Sequence, residues 1–128
     1  MTRTLVLAAY LISRPVPTLT PGAVCSPADP DFAAYASPSH VAICRRHVTR
    51  AVRRAVFAAY GIPQRNWRLY ELDHLIPIAI GGSNSPRNLW PELLSDAGQK
   101  DRLEARLARE LRAGRIDQAG ALRGLAGK

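Results

Sequence analysis

Apolar residues recur at helical spacing in the middle of the chain. Across residues 48–60 they fall three or four positions apart, and Gly61 followed by Pro63 is typical of a helix end. The pattern therefore predicts an amphipathic helix. Its opposite face carries arginines that we expect either to contact phosphates or to form a solvated surface. These arginines are Arg46, Arg50, Arg53 and Arg54.

A strand pattern follows over residues 69–80. The run is rich in residues that favour strands, but Pro77 cannot donate a hydrogen bond to a neighbouring strand, so the strand is predicted to end near Ile76. Residues 81–86, Gly-Gly-Ser-Asn-Ser-Pro, are typical of a loop. Residues 89–90, Leu-Trp, then begin a second extended segment that a proline follows.

Leucines at helical spacing predict a C-terminal helix that ends at Gly114. Asp96 with Gln99 three positions later matches a capping box, so we expect Asp96 to cap the start of this helix. A last short helix is expected to begin at Asp117. The predicted buried stripe consists of Leu103, Leu107 and Leu111.

The N-terminal part of the chain is dense in proline. Residues 13–39 include six prolines, which predicts an irregular arm without a core of its own. Before it, residues 5–12 form an apolar run after Arg3 that is either a short secretion signal or a segment packed on the core. Arg14 follows directly and no small-residue cleavage pattern is present, so we expect a cytoplasmic rather than an exported protein. The run is too short to span a bilayer, and we expect no membrane partner.

Together these elements predict an α+β fold, with an arm at residues 1–39 and one domain at residues 40–128 whose core is residues 69–112. A chain of 128 residues has room for a single compact domain. Its two cysteines, Cys25 and Cys44, lie far apart and outside any Cys-x-x-Cys pair, which argues against a structural zinc site. They either form one disulfide or remain two buried thiols.

The charge balance indicates a partner rich in phosphate. Eighteen lysines and arginines stand against ten acidic residues, and the net charge is +8. Almost all of the cations are arginine, which can bind phosphate through two hydrogen bonds at once. A basic surface also suits membranes or acidic proteins, so charge alone does not identify the partner. On the C-terminal helix, Arg102 and Arg106 belong to a second cationic face that either binds backbone phosphates or is solvated.

The candidate chemistry lies at Asp73 and His74, at the end of the first predicted strand. Hydrolysis of a phosphodiester needs an activated water, and a neutral histidine with a pKa near ~6.5 can take its proton. The reaction also needs a cation to neutralise the developing charge, and a carboxylate is a suitable ligand for a divalent metal. Neighbours in a strand point to opposite faces. We therefore expect a twist or a bulge that brings Asp73 and His74 to one site.

Three segments resemble the ββα-metal core of HNH endonucleases. They are Glu-Leu-Asp-His-Leu-Ile-Pro at residues 71–77, Gly-Gly-Ser-Asn at residues 81–84 and Asn-Leu-Trp-Pro at residues 88–91. The closest resemblance is to a bacterial and phage subgroup with a Lys-Asp-x-Leu-Glu helix, here at residues 100–104. The Thr-Pro-Gly segment that starts at Thr20 is also similar to that subgroup.

The resemblance implies a small two-stranded ββα-metal unit packed under one N-terminal helix and extended by C-terminal helices. It implies a metal-dependent endonuclease that hydrolyses DNA rather than RNA, with one divalent ion, Mg2+ or alternatively Mn2+, and no small-molecule cofactor. By the same resemblance His74 is the general base, Asp73 is a metal ligand, and Asn88 pins the loop and so orients the histidine. The oligomeric state is left open.

This chain departs from the subgroup at one position. Many relatives carry a second metal-binding histidine just before the Lys-Asp pair, where this chain has Gly98, and no histidine follows His74. We expect Asp101 to complete the metal site, because no cation lies three or four residues further along to pair with it. Its alternative role is to interact with the helix dipole. Glu104 could reach the metal or a group that contacts a ligand.

Two other functions stay open. The missing histidine favours a catalytically weakened module that keeps the fold and binds nucleic acid, whereas the apolar run and the cysteines favour a secreted effector or toxin nuclease. His40 and His47 are expected to be structural or surface residues. Trp67 and Trp90 are expected to pack in the core, with stacking on bases as the alternative.

Overall fold

The computed structural model of the protein describes residues 14–97 and 101–127. The apolar run at residues 5–12 and Gly98 lie outside these ranges. The described chain is α+β, as the sequence predicts. In chain order it contains β1 (Phe32–Ala36), β2 (Val41–Cys44), α1 (Arg50–Ala59), a 3-10 helix (Gln64–Leu69), β3 (Tyr70–His74), two short 3-10 turns (Ile78–Ile80 and Pro86–Asn88), β4 (Leu89–Leu93), α2 (Leu94–Ala97), α3 (Arg102–Arg112) and α4 (Gln118–Ala126). Within the same ranges, no helix combines the length and the apolar character that crossing a membrane requires.

The described strands form two antiparallel pairs, β1 with β2 and β3 with β4. In the second pair Asp73 lies opposite Trp90, and His74 lies opposite Leu89. Since directly paired residues share one face of a sheet, Asp73 and His74 belong to opposite faces. Glu92, two positions beyond Trp90, shares the face of Asp73.

The predicted amphipathic helix is confirmed as α1. Thr49 caps its first turn, with Oγ1 accepting a hydrogen bond from Val52 N at 3.1 Å. The chain leaves the helix through Gly61, whose φ of +69° suits glycine. The apolar face of α1 packs on β3 and β4 to form the main core. Its buried members are Val56, Phe57, Tyr60, Ile62, Tyr70, Leu89 and Trp90.

The start of the C-terminal helix differs from the prediction. Asp96 lies inside α2, and α3 begins after Asp101, whose Oδ1 accepts a hydrogen bond from Glu104 N at 3.0 Å. The predicted cap is wrong because Asp101 satisfies the same side-chain rule closer to the leucine stripe. Asp117 caps α4 as predicted, with Oδ1 2.8 Å from Gly120 N. A second buried cluster joins α3, α4 and the first 3-10 turn through Ile80, Leu107 and Ala121.

The proline-rich arm is not irregular throughout. β1 lies inside it and pairs with β2 across the boundary predicted between residues 39 and 40. Strand preference depends strongly on the available partner, and the density of prolines hides a five-residue segment that pairs well. A disulfide between Cys25 and Cys44 then ties the arm to the end of β2, which decides between the two alternatives for the cysteines.

The arm also closes over the main core. Thr20 is 1% exposed, and its hydroxyl donates a hydrogen bond to Leu89 O at 3.0 Å. Further along, Val24 forms an antiparallel bridge with Gly82 in the loop that follows β3. These contacts hold both β4 and the loop in place from outside the sheet.

Candidate active site

A cleft of about 630 Å³ opens at the C-terminal end of β3. Trp90 and residues of the arm and of α4 form part of its wall. The ionisable side chains contributed by the strands and α3 are one histidine and three carboxylates, namely His74, Asp73, Glu92 and Glu104. The cleft therefore gathers groups that are far apart in the sequence.

Asp73 and His74 reach this cleft without the expected bulge. The β3–β4 pairing is regular up to its last pair, His74 with Leu89, so the two side chains leave the strand on opposite faces. Asp73, Trp90 and Glu92, which share one face of the sheet, line the cleft together with His74 at the last pair of β3. Both residues line one cleft, and of the two irregularities expected, a twist or a bulge, the bulge is absent from the β3–β4 pairing.

His74 is buried and held through both ring nitrogens. It is 3% exposed, with Nε2 3.0 Å from Asn84 Oδ1 and Nδ1 3.3 Å from Arg46 Nη1. Burial is the main cause that lowers its pKa below the usual 6.5; the Arg46 charge adds to this, while Asn84 and Asp73 act against it. The ring is therefore neutral at neutral pH, which is the state that can accept a proton.

Asn84 connects His74 to the β1–β2 hairpin. Its Nδ2 donates to Asp31 Oδ2 at 3.0 Å and to Arg45 O at 2.8 Å. Its Oδ1 accepts from His47 N at 3.2 Å as well as contacting His74. Sequence reasoning noted Asn84 only as part of a loop motif and gave it no role. No local signal could reveal one, because Asp31 is 53 residues away.

Asn88 is completely buried and ties the loop together. Its Oδ1 accepts from Ile76 N at 2.9 Å and from Ala23 N at 3.4 Å, and its Nδ2 donates to Ile76 O at 3.0 Å and to Ser83 O at 2.8 Å. Its backbone carbonyl also accepts from Leu75 N at 2.8 Å. Through its side chain and its backbone carbonyl, Asn88 thus fixes the two residues that directly follow His74, whereas the hydrogen bonds of the imidazole within the described chain go to Asn84 and Arg46.

Two glycines allow this tight loop to form. A Cβ on Gly82 would overlap Ile76 O, the same carbonyl that Asn88 holds. Gly81 has φ of +94°, and a Cβ there would overlap Gln118. The Gly-Gly pair is therefore required by close backbone approach and by conformation together.

The carboxyl groups of Asp73 and Glu92 interact directly. The pKa of Glu92 is raised to about 7, first by burial and then by the Asp73 charge, a hydrogen bond with Asp73, and the charges of Asp96 and Glu71. Two carboxylates that resist being ionised together form a site where a cation is favourable. Sequence reasoning missed Glu92, although its position directly opposite Glu71 follows once the register is known.

The donor set suits a hard divalent ion. Mg2+ and Mn2+ prefer oxygen ligands, and Mg2+ commonly binds one or two carboxylates and keeps several waters. Asp73 and Glu92 supply two carboxyl groups of this type. Among residues 14–97 and 101–127, the trio with ligand atoms all within 4.8 Å is Cys25, Asp29 and Cys44, and the disulfide occupies both of its sulfurs.

The two other acidic residues considered as ligands differ in position. Glu104 lines the cleft, whereas Asp101 caps α3 through Oδ1 and is not part of the cleft wall as described. The metal role of Asp101 stays a prediction. Gly98, which stands where a second histidine was expected, lies outside the described residues.

The predicted nucleic-acid contacts are mostly exposed arginines. Arg50 and Arg54 on α1 and Arg102 and Arg106 on α3 are exposed. Arg53 is half-buried, with its guanidinium 5.1 Å from the ring centre of Phe57 and 5.9 Å from that of Trp67. Stacking on these core rings holds Arg53 in place.

Trp67 and His40 each stack on a neighbouring ring. Trp67 stacks on Phe57 and donates Nε1–H to Ile62 O at 3.0 Å, which agrees with the predicted core role. His40 is exposed and stacks on Tyr35, with ring centres 3.7 Å apart. Among the described histidines, His74 is the one that lines the cleft.

No protein-family model, curated protein or solved structure matches this chain.

Proposed function

We propose that the protein is a metal-dependent endonuclease of the HNH kind that hydrolyses phosphodiester bonds in DNA. The observation that carries the proposal is that a buried, neutral His74 lines the same cleft as the interacting carboxyl groups of Asp73 and Glu92. A base beside a cation-favouring pair is the arrangement that phosphodiester hydrolysis requires.

In the proposed reaction His74 takes a proton from a water molecule, whose oxygen attacks the phosphorus. The bond from phosphorus to the leaving sugar oxygen breaks, that oxygen takes a proton from solvent, and His74 later returns its own proton to solvent. Asp73 and Glu92 would hold the divalent ion, which would offset the charge on the phosphoryl and leaving oxygens. Glu92 replaces Asp101 as our preferred second ligand because Glu92 lines the cleft and contacts Asp73.

Positive charge supports DNA as the substrate class. Arg46 is exposed and lies 3.3 Å from His74, so its guanidinium can reach a phosphate bound at the cleft. The exposed arginines of α1 and α3 can bind phosphates further along the backbone, which fits the net charge of +8. The preference for DNA over RNA rests on the family resemblance.

Cleavage of supercoiled plasmid tests the proposal. With Mg2+ or Mn2+ the wild-type protein should nick the plasmid, and His74→Ala should lower the rate at least about 100-fold. His40→Ala is the matched control and should leave the rate unchanged, because His40 is exposed and stacks outside the cleft. Plasmid that stays intact with both metals would overturn the enzyme, and faster cleavage of a matched RNA would overturn the DNA preference.

A binding module without turnover is the second candidate. It is favoured because, among the described residues, the cleft carboxylates and His74 do not form a trio of ligand atoms within 4.8 Å. Such a module would retain DNA affinity that falls steeply as salt rises, while the plasmid stays uncut. Binding measured by anisotropy at several salt concentrations, beside the nicking assay, separates the two functions.

A further inference from the structure

We infer that Asn84, held in one orientation by Asp31, selects the tautomer of His74 with the proton on Nε2 and leaves Nδ1 as the basic nitrogen. The catalytic part of this inference rests on the proposed function, whereas the tautomer itself does not. Asn84 is thus a positioning residue that acts through His74.

The orientation of the Asn84 amide follows from its neighbours. Asp31 Oδ2 and Arg45 O can only accept hydrogen bonds, and they lie 3.0 Å and 2.8 Å from Nδ2. His47 N–H can only donate, and it lies 3.2 Å from Oδ1. Exchanging the amide nitrogen and oxygen would set acceptor against acceptor and donor against donor at a side chain that is 8% exposed. The amide therefore has one favourable orientation.

The tautomer of His74 follows from that orientation. Asn84 Oδ1 can only accept, so the ring nitrogen 3.0 Å away, Nε2, must carry a hydrogen. A neutral imidazole has one N–H, which leaves a lone pair on Nδ1. Arg46 Nη1 can only donate and lies 3.3 Å from Nδ1, so a second neighbour requires the same tautomer.

This arrangement serves a base in two ways. Arg46 is exposed, so in the proposed reaction its guanidinium would leave Nδ1 for a substrate phosphate, and the freed lone pair would accept the proton of the attacking water. Once Nδ1 has taken the proton, the Nε2–H bond to Asn84 Oδ1 remains. The Asp31 carboxylate behind the amide keeps that acceptor in place.

The hairpin that sequence reasoning missed supplies both groups that hold Asn84. Asp31 comes just before β1 and Arg45 just after β2, and Arg45 N donates to Asp31 O at 2.9 Å. The Cys25–Cys44 disulfide lies one residue from Arg45. The hairpin is therefore the structure that presents two acceptors to Asn84 at a fixed spacing.

Nitrogen NMR of protein labelled with 15N-histidine tests the tautomer directly. In the wild type His74 should show a protonated Nε2 and an unprotonated Nδ1 at neutral pH. Finding the proton on Nδ1 would overturn the inference, and this measurement needs neither a variant nor any nuclease activity. A failure of the proposed function would appear instead as uncut plasmid with the Nε2–H tautomer intact.

Variants test the role of the amide. Because Arg46 also favours the Nε2–H tautomer, the amide is tested in the Arg46→Ala background: that single variant should keep the Nε2–H tautomer, whereas adding Asn84→Ala should mix the two tautomers and lower kcat about a further 10-fold, with KM for DNA little changed. Asp31→Asn keeps an oxygen that can accept from Nδ2, so it should retain the wild-type tautomer and most of kcat. Asn66→Ala, a half-buried asparagine outside this network, is the matched control. A single Nε2–H tautomer and an unchanged kcat after Asn84→Ala is added to Arg46→Ala would overturn the inference. If that double variant does not fold, Asp31→Ala in the Arg46→Ala background, which removes one of the two acceptors of Asn84, should give the same mixing to a smaller degree.

Discussion

Asp73 and Glu92 lie on one face of the β3–β4 sheet and share a hydrogen bond, and burial together with this contact raises the pKa of Glu92 to about 7. In the folded protein Glu92 therefore keeps its proton up to about pH 7, whereas an unfolded chain would lose it near 4.5. The folded state binds more protons between these values. The contribution of Glu92 to stability is thus full below 4.5 and is lost as pH rises through 7.

Replacing Glu92 with glutamine should stabilise the metal-free protein at high pH. At pH 8 the variant lacks the second of two half-buried negative charges, so its Tm should exceed that of the wild type; at pH 5 the two should be close. Thermal unfolding in the presence of a chelator measures this. Glu110→Gln is the control, since Glu110 pairs with Arg115 on the surface, 3.0 Å apart. A Tm difference that does not grow between pH 5 and pH 8 would contradict the assignment.

Binding of a divalent metal should offset the repulsion between the ionised carboxyl groups of Asp73 and Glu92. Binding to the folded state alone stabilises a protein by about 2.7 kcal/mol when the free ion exceeds Kd 100-fold. Mg2+ or Mn2+ should therefore raise the Tm of the wild type at pH 8, and the increase should vanish in the double variant Asp73→Asn, Glu92→Gln. Asp101→Asn should keep the increase if Asp101 serves only as the cap of α3. Loss of the increase in Asp101→Asn alone would restore Asp101 as the second ligand.

The rate of cleavage should stay high in mildly acidic solution. Burial of His74 lowers its pKa below 6.5, so the neutral base persists at pH values where an exposed histidine would be protonated. With saturating DNA and metal, kcat should rise with pH along a limb whose midpoint lies below 6.5, and it should be level near pH 7. The same limb should be absent from the residual activity of His74→Ala. A midpoint above 6.5 in the wild type would show that another group controls the rate.

Short-range sequence patterns were sufficient to predict the helices and strands that carry the candidate site. The apolar spacing of α1, the cap at Asp117 and the extended runs on both sides of the Gly-Gly loop depend on neighbours within a few residues. His74, Asp73 and Asn88 could be proposed as site residues because they belong to these elements and resemble a family pattern. Pro91 was expected to follow the second extended segment, yet β4 continues through it because each strand of a two-stranded sheet has a free edge.

Residues joined by long-range contacts could not be predicted in the same way. Asn84 acquires a role only because the hairpin brings Asp31 to it across 53 residues. Glu92 becomes relevant only once the register sets it beside Asp73. Asp96 and Asp101 both satisfy the capping rule locally, and packing of the leucine stripe decides between them. The chemistry of a site thus depends on pairing that residue spacing alone does not determine.

The disulfide between Cys25 and Cys44 should support both stability and activity. It spans 19 residues, and a crosslink over a loop of that size contributes about 3 kcal/mol to the free energy of unfolding. Because Cys44 precedes Arg45, whose carbonyl holds Asn84, its loss should also loosen the support of His74. Cys25→Ser with Cys44→Ser should therefore lower Tm and kcat together, and reduction of the wild type should do the same.

The disulfide also predicts where the protein is found, because such bonds persist in oxidising compartments. When the native protein from its host is treated with an alkylating reagent, mass spectrometry should find neither cysteine alkylated. This expectation contrasts with the cytoplasmic location expected from the sequence. Free thiols in the host, with unchanged Tm and kcat after reduction, would contradict this prediction.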